Sequence, residues 1–103
     1  MSKIFSSKEL SKEIKKLKKN GEKTALLHGV FDILHVGHIN YFEEIKKFSD
    51  KLIVSVTSDK FVNKGPGRPM FHINERIKIL SKIDLIDFIV ISNSETAVKV
   101  IND

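Results

Sequence analysis

Residues 28–38 read His28-Gly29-Val30-Phe31-Asp32-Ile33-Leu34-His35-Val36-Gly37-His38 (HGVFDILHVGH). They lie between a short apolar run, Lys23–Leu27 (KTALL), and a segment where Ile39, Phe42, Ile45 and Phe48 recur at helical spacing. The apolar run reads as a buried strand, and the periodic segment as a helix over 36–48. The eleven residues therefore connect the carboxyl end of a strand to the amino end of a helix. His35 and His38, three apart around Gly37, share one face if the helix begins there. Two imidazoles then point the same way at a helix amino terminus, where unpaired N–H groups and the dipole favour an anion. That is a place to hold a phosphate.

Working outward, the same alternation continues. Upstream, Ser6 or Ser7 caps a helix whose apolar stripe is Leu10, Ile14 and Leu17, and Asn20-Gly21 ends it. Downstream, Ser49-Asp50 breaks the second helix, and Lys51–Thr57 (KLIVSVT) is a β-branched strand. Ser58-Asp59 caps a short turn through Asn63. Lys64–Pro69 (KGPGRP) holds two glycines and two prolines in six residues, which demands a loop. Asn74 is expected to cap a helix carrying Ile77, Leu80 and Ile83. Phe88–Ile91 (FIVI) is a third strand, and a final helical run from Ser94 carries Ala97, Val98 and Ile101.

Strands alternating with helices predict an α/β fold: a Rossmann-like parallel sheet of three strands with helices on both faces, preceded by an N-terminal helix. Ligands in such sheets bind beyond the carboxyl ends of the strands, which is where residues 28–38 and 59–68 fall. One domain is expected over 1–103, with the helix in 1–22 and the core in 23–103. Three strands leave an exposed edge, and Asn102-Asp103 follows helical periodicity without a glycine cap. The core is thus expected to be cut short or completed by a partner chain.

Composition narrows the function classes. With 41% hydrophobic and 30% charged residues among 103, the chain reads as globular rather than disordered. No apolar run approaches a membrane span, no secretory leader is visible, and the absence of cysteine excludes thiolate chemistry and disulfides. A cytoplasmic location without membrane association is the expectation. The net charge of +5 lies wholly in residues 1–23, which carry eight lysines and three glutamates. Those lysines alternate with apolar residues at helical spacing, so a solvated helix face is expected and no nucleic-acid partner.

The pattern Gly29, Phe31-Asp32, His35-x-Gly37-His38 resembles the signature of the cytidylyltransferase-like nucleotidyltransferases. The resemblance covers nearly all of 23–91: the strand–turn–helix context, Ser58-Asp59 after the second strand, Lys64, and Asn74-Glu75-Arg76 opening the next helix. FDILHVGH, Arg68-Pro69 and Asn74–Arg76 are most similar to the heptose-1-phosphate adenylyltransferase domain, with the glycerol-3-phosphate cytidylyltransferases close behind. The resemblance implies attack of a phosphorylated sugar or polyol on the α-phosphate of ATP or CTP, with release of pyrophosphate and assistance from Mg2+. It also implies a homodimer as a candidate assembly.

Such transfers rest on positioning and on stabilising charge on phosphate oxygens. His35 and His38 are then catalytic donors to the triphosphate, and Lys64 and Arg76 neutralise it and the departing pyrophosphate. Gly29 and Gly37 let backbone approach the phosphates. Val30, Phe31 and Asp32 line the nucleotide, Phe31 by packing and Asp32 by orienting a histidine or holding metal through water. Arg68 and His28 face the acceptor substrate; at His28 relatives commonly carry Asn or Tyr.

Other readings compete. His35 and His38 could share zinc, but zinc wants three or four protein ligands, and Asp32, His28 and His72 stand at no compelling spacing, so no metal site is expected. Lys64 reads equally as a solvated loop lysine, and Arg76 as a partner of Glu75. The family's base-selecting glycine loop and Ser/Thr-rich helix start follow a fourth strand, beyond Asp103, so ATP against CTP stays open. A non-catalytic nucleotide-binding or assembly module is the alternative.

Overall fold

Residues 3–59 and 71–92 are described by the computed structural model of the chain. The first helix, α1 (Ser7–Lys19), begins where Ser6 and Glu9 exchange hydrogen bonds. Ser6 Oγ accepts the Glu9 N–H at 3.1 Å, and Glu9 Oε1 accepts the Ser6 N–H at 2.9 Å. The exchange satisfies two donors that a helix start leaves unpaired. Leu10, Ile14 and Leu17 are its buried residues, each contributing about 1.5–3 kcal/mol relative to exposure. Lys8, Lys12, Lys15, Lys16, Lys18 and Lys19 are exposed.

Three parallel strands follow in the order β1 (Thr24–Gly29), β2 (Lys51–Thr57), β3 (Phe88–Ser92). The register pairs Thr24 with Lys51 through Gly29 with Val56, and Ile53 with Phe88 through Thr57 with Ser92. The helix α2 (Val36–Lys46) lies between β1 and β2 in sequence, and α3 (Ile73–Ser81) between β2 and β3. Both crossovers step in the same direction, so right-handed connections place both helices on one face. There Phe42 of α2 and Ile77 and Leu80 of α3 pack with Leu52, Val54, Val56 and Ile89. On the other face, α1 packs its stripe on Ile53, Phe88 and Val90. The alternation along β2, every second side chain to each face, is the strand period itself. Helices on both faces were expected and are found.

The boundaries differ from expectation where tertiary contacts decide. β1 runs to Gly29 rather than stopping at Leu27, because β2 offers Ser55 and Val56 as partners. β3 extends through Ser92, paired with Thr57. α2 ends at Lys46, and Phe48, expected on its apolar stripe, is 75% exposed. The cap of α3 is His72, not Asn74. Glu75 Oε1 accepts the His72 N–H at 3.3 Å, which starts the helix two residues earlier and leaves Asn74 exposed in its first turn. The segments expected as a turn to Asn63, the Lys64–Pro69 loop and the helix from Ser94 lie outside the described residues, the turn from Lys60 on.

The edge of the sheet also differs. Ile4 forms a parallel bridge to Ile89: the Phe5 N–H donates to Ile89 O and the Ile89 N–H to Lys3 O, both at 2.8 Å. Phe5 stacks edge-on against Phe88 with ring centroids 5.1 Å apart. This N-terminal stretch covers part of the β3 edge, while among the described residues no strand pairs with the outer edge of β1. No helix among the described residues is long and apolar enough to cross a membrane.

Candidate functional site

The start of α2 is built from its own histidines. A helix amino terminus usually takes a serine, threonine or aspartate as cap; here His35 does the work. Its backbone is extended, and its Nδ1 accepts the Gly37 N–H at 3.0 Å. His38 Nδ1 in turn accepts the His35 N–H at 3.2 Å. A neutral imidazole that accepts at Nδ1 carries its proton at Nε2. Both rings, with centroids 4.3 Å apart, therefore present Nε2–H donors. Partial burial and the neighbouring His35 both push the His38 pKa below the usual histidine value, which favours the neutral donor form. The first turn of α2 holds no carboxylate that would compete with an incoming anion.

Gly37 is required by the first of these bonds. A Cβ at this position would lie 2.6 Å from His35 Cε1 and 2.9 Å from its Nδ1. The space expected to admit a phosphate is thus filled by the imidazole that caps the helix. Gly29 behaves alike: its missing Cβ leaves room for the Phe31 ring, whose Cε2 would be 3.0 Å away. Phe31 takes a left-handed backbone, φ +52°, a conformation that non-glycine residues adopt at a cost. Its ring lies 6.1 Å from that of His38 and 6.2 Å from that of Phe42.

Arg76 is not the phosphate-facing cation the sequence suggested. Its side chain has no exposure. Nε donates to Phe71 O at 3.0 Å, and Nη1 to Val30 O and Thr57 O, each at 2.7 Å. Nη2 donates to Asp59 Oδ1 at 2.6 Å. One planar guanidinium thus joins the turn after β1, the end of β2 and the approach to α3, which suits arginine and no other cation. Partial burial opposes ionisation of Asp59, but the Arg76 hydrogen bond and charge and the Ile73 N–H outweigh it and lower its pKa. Asp32 Oδ1 accepts the Phe71 N–H at 2.8 Å, a second tie between the β1–α2 turn and the entrance to α3.

Above this scaffold opens a cleft of about 610 Å³, lined by residues 27–33 with His38 and Tyr41. It therefore gathers His28, Gly29, Val30, Phe31, Asp32 and His38, with His35 beside His38. Lys64 and Arg68 lie outside the described residues. His28 Nδ1 stands 3.1 Å from Ser55 Oγ. Ser58 Oγ, just past the end of β2, is buried and has no hydrogen-bond partner among the described residues. Among the described residues no cluster of three or more His, Cys, Asp or Glu could hold a metal, so a zinc pair at His35 and His38 has no third protein ligand there. Asp59, Thr57 and Phe71 escaped the sequence reading as scaffold partners. Of these, only Asp59 carried a sequence signal, in the Ser58-Asp59 pair after the second strand.

Comparison with known proteins identifies the family. The family model described as cytidylyltransferase-like matches residues 26–103. The bifunctional protein HldE of Vibrio parahaemolyticus serotype O3:K6 is 35% identical over 102 residues, which cover 97% of this chain and 21% of that protein. Its counterpart from Desulfatibacillum aliphaticivorans is 41% identical over 85 residues, covering 81% of this chain and 17% of that one. The chain thus spans about a fifth of the length of these relatives. A lipopolysaccharide core biosynthesis protein from Thermoplasma volcanium GSS1 superposes with a TM-score of 0.71 at 33% identity, over 80% of this chain and 67% of that one. With the signature residues gathered at the carboxyl end of a parallel sheet and a family model matching most of its length, the chain belongs to the cytidylyltransferase-like family.

Proposed function

We propose that the chain carries the phosphate-activating part of a nucleotidyltransferase, which moves AMP or CMP from ATP or CTP to a phosphorylated sugar or polyol. The supporting observation is the pair of Nε2–H donors at the uncontested amino terminus of α2. An acceptor phosphate oxygen attacks the α-phosphorus, its bond to the bridging oxygen breaks, and pyrophosphate leaves. Negative charge grows on non-bridging oxygens as this happens. His35 and His38 donate hydrogen bonds to it from fixed positions, so no reorganisation is needed at the moment of transfer. Lys64 and Arg68, on the segment between Asp59 and Phe71, would add mobile and bidentate positive charge respectively. Arg76 holds the turn that presents the histidines and does not touch phosphate.

Magnesium would be held chiefly by the triphosphate. It keeps several waters and binds through phosphates with one or two carboxylates, and the described residues offer no cage of their own. When bound it would supply charge neutralisation.

The test is pyrophosphate release with ATP and with CTP, each with Mg2+, on the wild type and on His35→Ala and His38→Ala. Turnover that either substitution abolishes supports transfer. Nucleotide binding without turnover, by a chain extended to the length of its relatives, would establish a binding module instead. Failure of that chain to bind either nucleotide would defeat both readings.

A further inference from the structure

Ser55 is the polar member of an otherwise apolar stretch of β2, fully buried between Val54 and Val56. A hydroxyl there is costly unless it is hydrogen-bonded, and its partner is the exposed His28 of the neighbouring strand, Nδ1 to Oγ 3.1 Å. The register makes them direct cross-strand partners. Thr57, one pleat further on, donates its hydroxyl to Gly29 O at 3.3 Å. Toward His28 Nε2, 3.5 Å away, the same oxygen can then only accept. The ring proton accordingly sits on Nε2, and the Ser55 hydroxyl donates to Nδ1. At 3.5 Å the Thr57 contact is too long to hold that proton against a better acceptor.

The direction of the ring matters. Leu26 packs with the α1 cluster and Leu27 with the α2–α3 cluster, so by strand alternation His28 projects from the α1 face. His35 and His38 belong to α2 on the other face, and the cleft wraps the end of β1 between the two. In-line transfer needs the nucleophile on the side opposite the leaving pyrophosphate. We propose that His28 donates through Nε2 to the phosphate of the acceptor, and that buried Ser55 is the positioning residue that fixes its ring and tautomer. The assignment rests on the nucleotidyl-transfer reading and names which side of the site the acceptor takes.

The full chain is tested with glycerol 3-phosphate and a heptose 1-phosphate as acceptors, in the presence of ATP or CTP and Mg2+. Imidazole 1H–15N spectra should show the His28 Nε2 resonance moving on addition of acceptor. In turnover, Ser55→Ala should raise the acceptor KM about tenfold, the loss of roughly one charge-assisted hydrogen bond. The kcat and the nucleotide KM should stay near wild type, and Ser55→Thr, which keeps the hydroxyl, should restore the acceptor KM. Should Ser55→Ala fail to fold, His28→Ala at the exposed position, which removes the donor outright, should raise the acceptor KM at least as much. If nucleotide binds but the His28 resonance stays still and the acceptor KM is unchanged, the assignment is overturned and the parent reading stands. If the wild type binds neither ATP nor CTP, the parent reading falls and takes this assignment with it.

Discussion

Two helices start beside the carboxyl ends of neighbouring strands, and they treat their amino termini in opposite ways. At α2 the cap is a pair of neutral imidazoles, no carboxylate lies in the first turn, and Nε2–H donors remain available. At α3 the terminus already has its anions: Asp59 takes the Ile73 N–H, Glu75 takes the His72 N–H, and buried Arg76 neutralises Asp59. Equal helix dipoles thus give one open anion site and one closed joint. What separates them is which side chains reach the unpaired N–H groups first.

The largest break in this comparison comes from the closed joint. Arg76→Ala removes four hydrogen bonds at once, to Phe71 O, Val30 O, Thr57 O and Asp59, and leaves Asp59 without its cation. The expected loss of stability is about 3–5 kcal/mol, read as a lowered urea midpoint. Arg76→Lys should recover little, because an ammonium cannot span four acceptors in that fork geometry. At the open site the expectation reverses. His38→Ala should lower turnover about 10²- to 10³-fold, as loss of a preorganised donor does, while stability falls by no more than about 1 kcal/mol, the worth of a cap. A stability loss matching that of Arg76→Ala would mean that His38 is scaffold too. A milder test is Gly37→Ala, whose Cβ displaces the His35 ring. ATP or CTP should bind about tenfold more weakly by calorimetry, an effect of about 1.4 kcal/mol, with the melting temperature nearly unchanged.

The open site was legible in the sequence and the closed joint was not, for a physical reason. His35, Gly37 and His38 act on one another within four residues, so a local pattern states their geometry. The β2 span Lys51–Thr57 was readable for a similar reason: a run buried along nearly its whole length needs no distant information. Arg76, by contrast, is buried by acceptors from the β1–α2 turn, the end of β2 and the approach to α3. Its sequence neighbourhood, Asn74-Glu75-Arg76, looks like any charged helix start. The same limit explains the contact of His72 with Asp59, thirteen residues earlier, and the bridge from Ile4 to Ile89. Gly37 lies between the cases. Its necessity was visible, but its cause, the His35 ring rather than a phosphate, required knowing where that ring folds.

The smallest expected effect separates the two termini by pH. The folded pKa of His38 lies below its unfolded value of about 6.5. As pH falls through 6.5 the unfolded chain takes up a proton that the folded one still refuses, so stability declines until the folded pKa is passed. Asp59, held below 3.8 in the fold by Arg76 and the Ile73 N–H against the effect of burial, contributes stability that is intact above that value. This contribution is lost as pH falls through the folded pKa. Urea midpoints should therefore decline in two steps, the first abolished by His38→Asn and the second by Asp59→Asn. Bound triphosphate should act on the first step alone, because phosphate charge favours the imidazolium. NMR titration should then find the His38 midpoint raised by ATP or CTP while the Asp59 midpoint stays in place. Equal movement of both would mean that the anion does not choose between the two helix starts, and that the α2 terminus is no more open than that of α3.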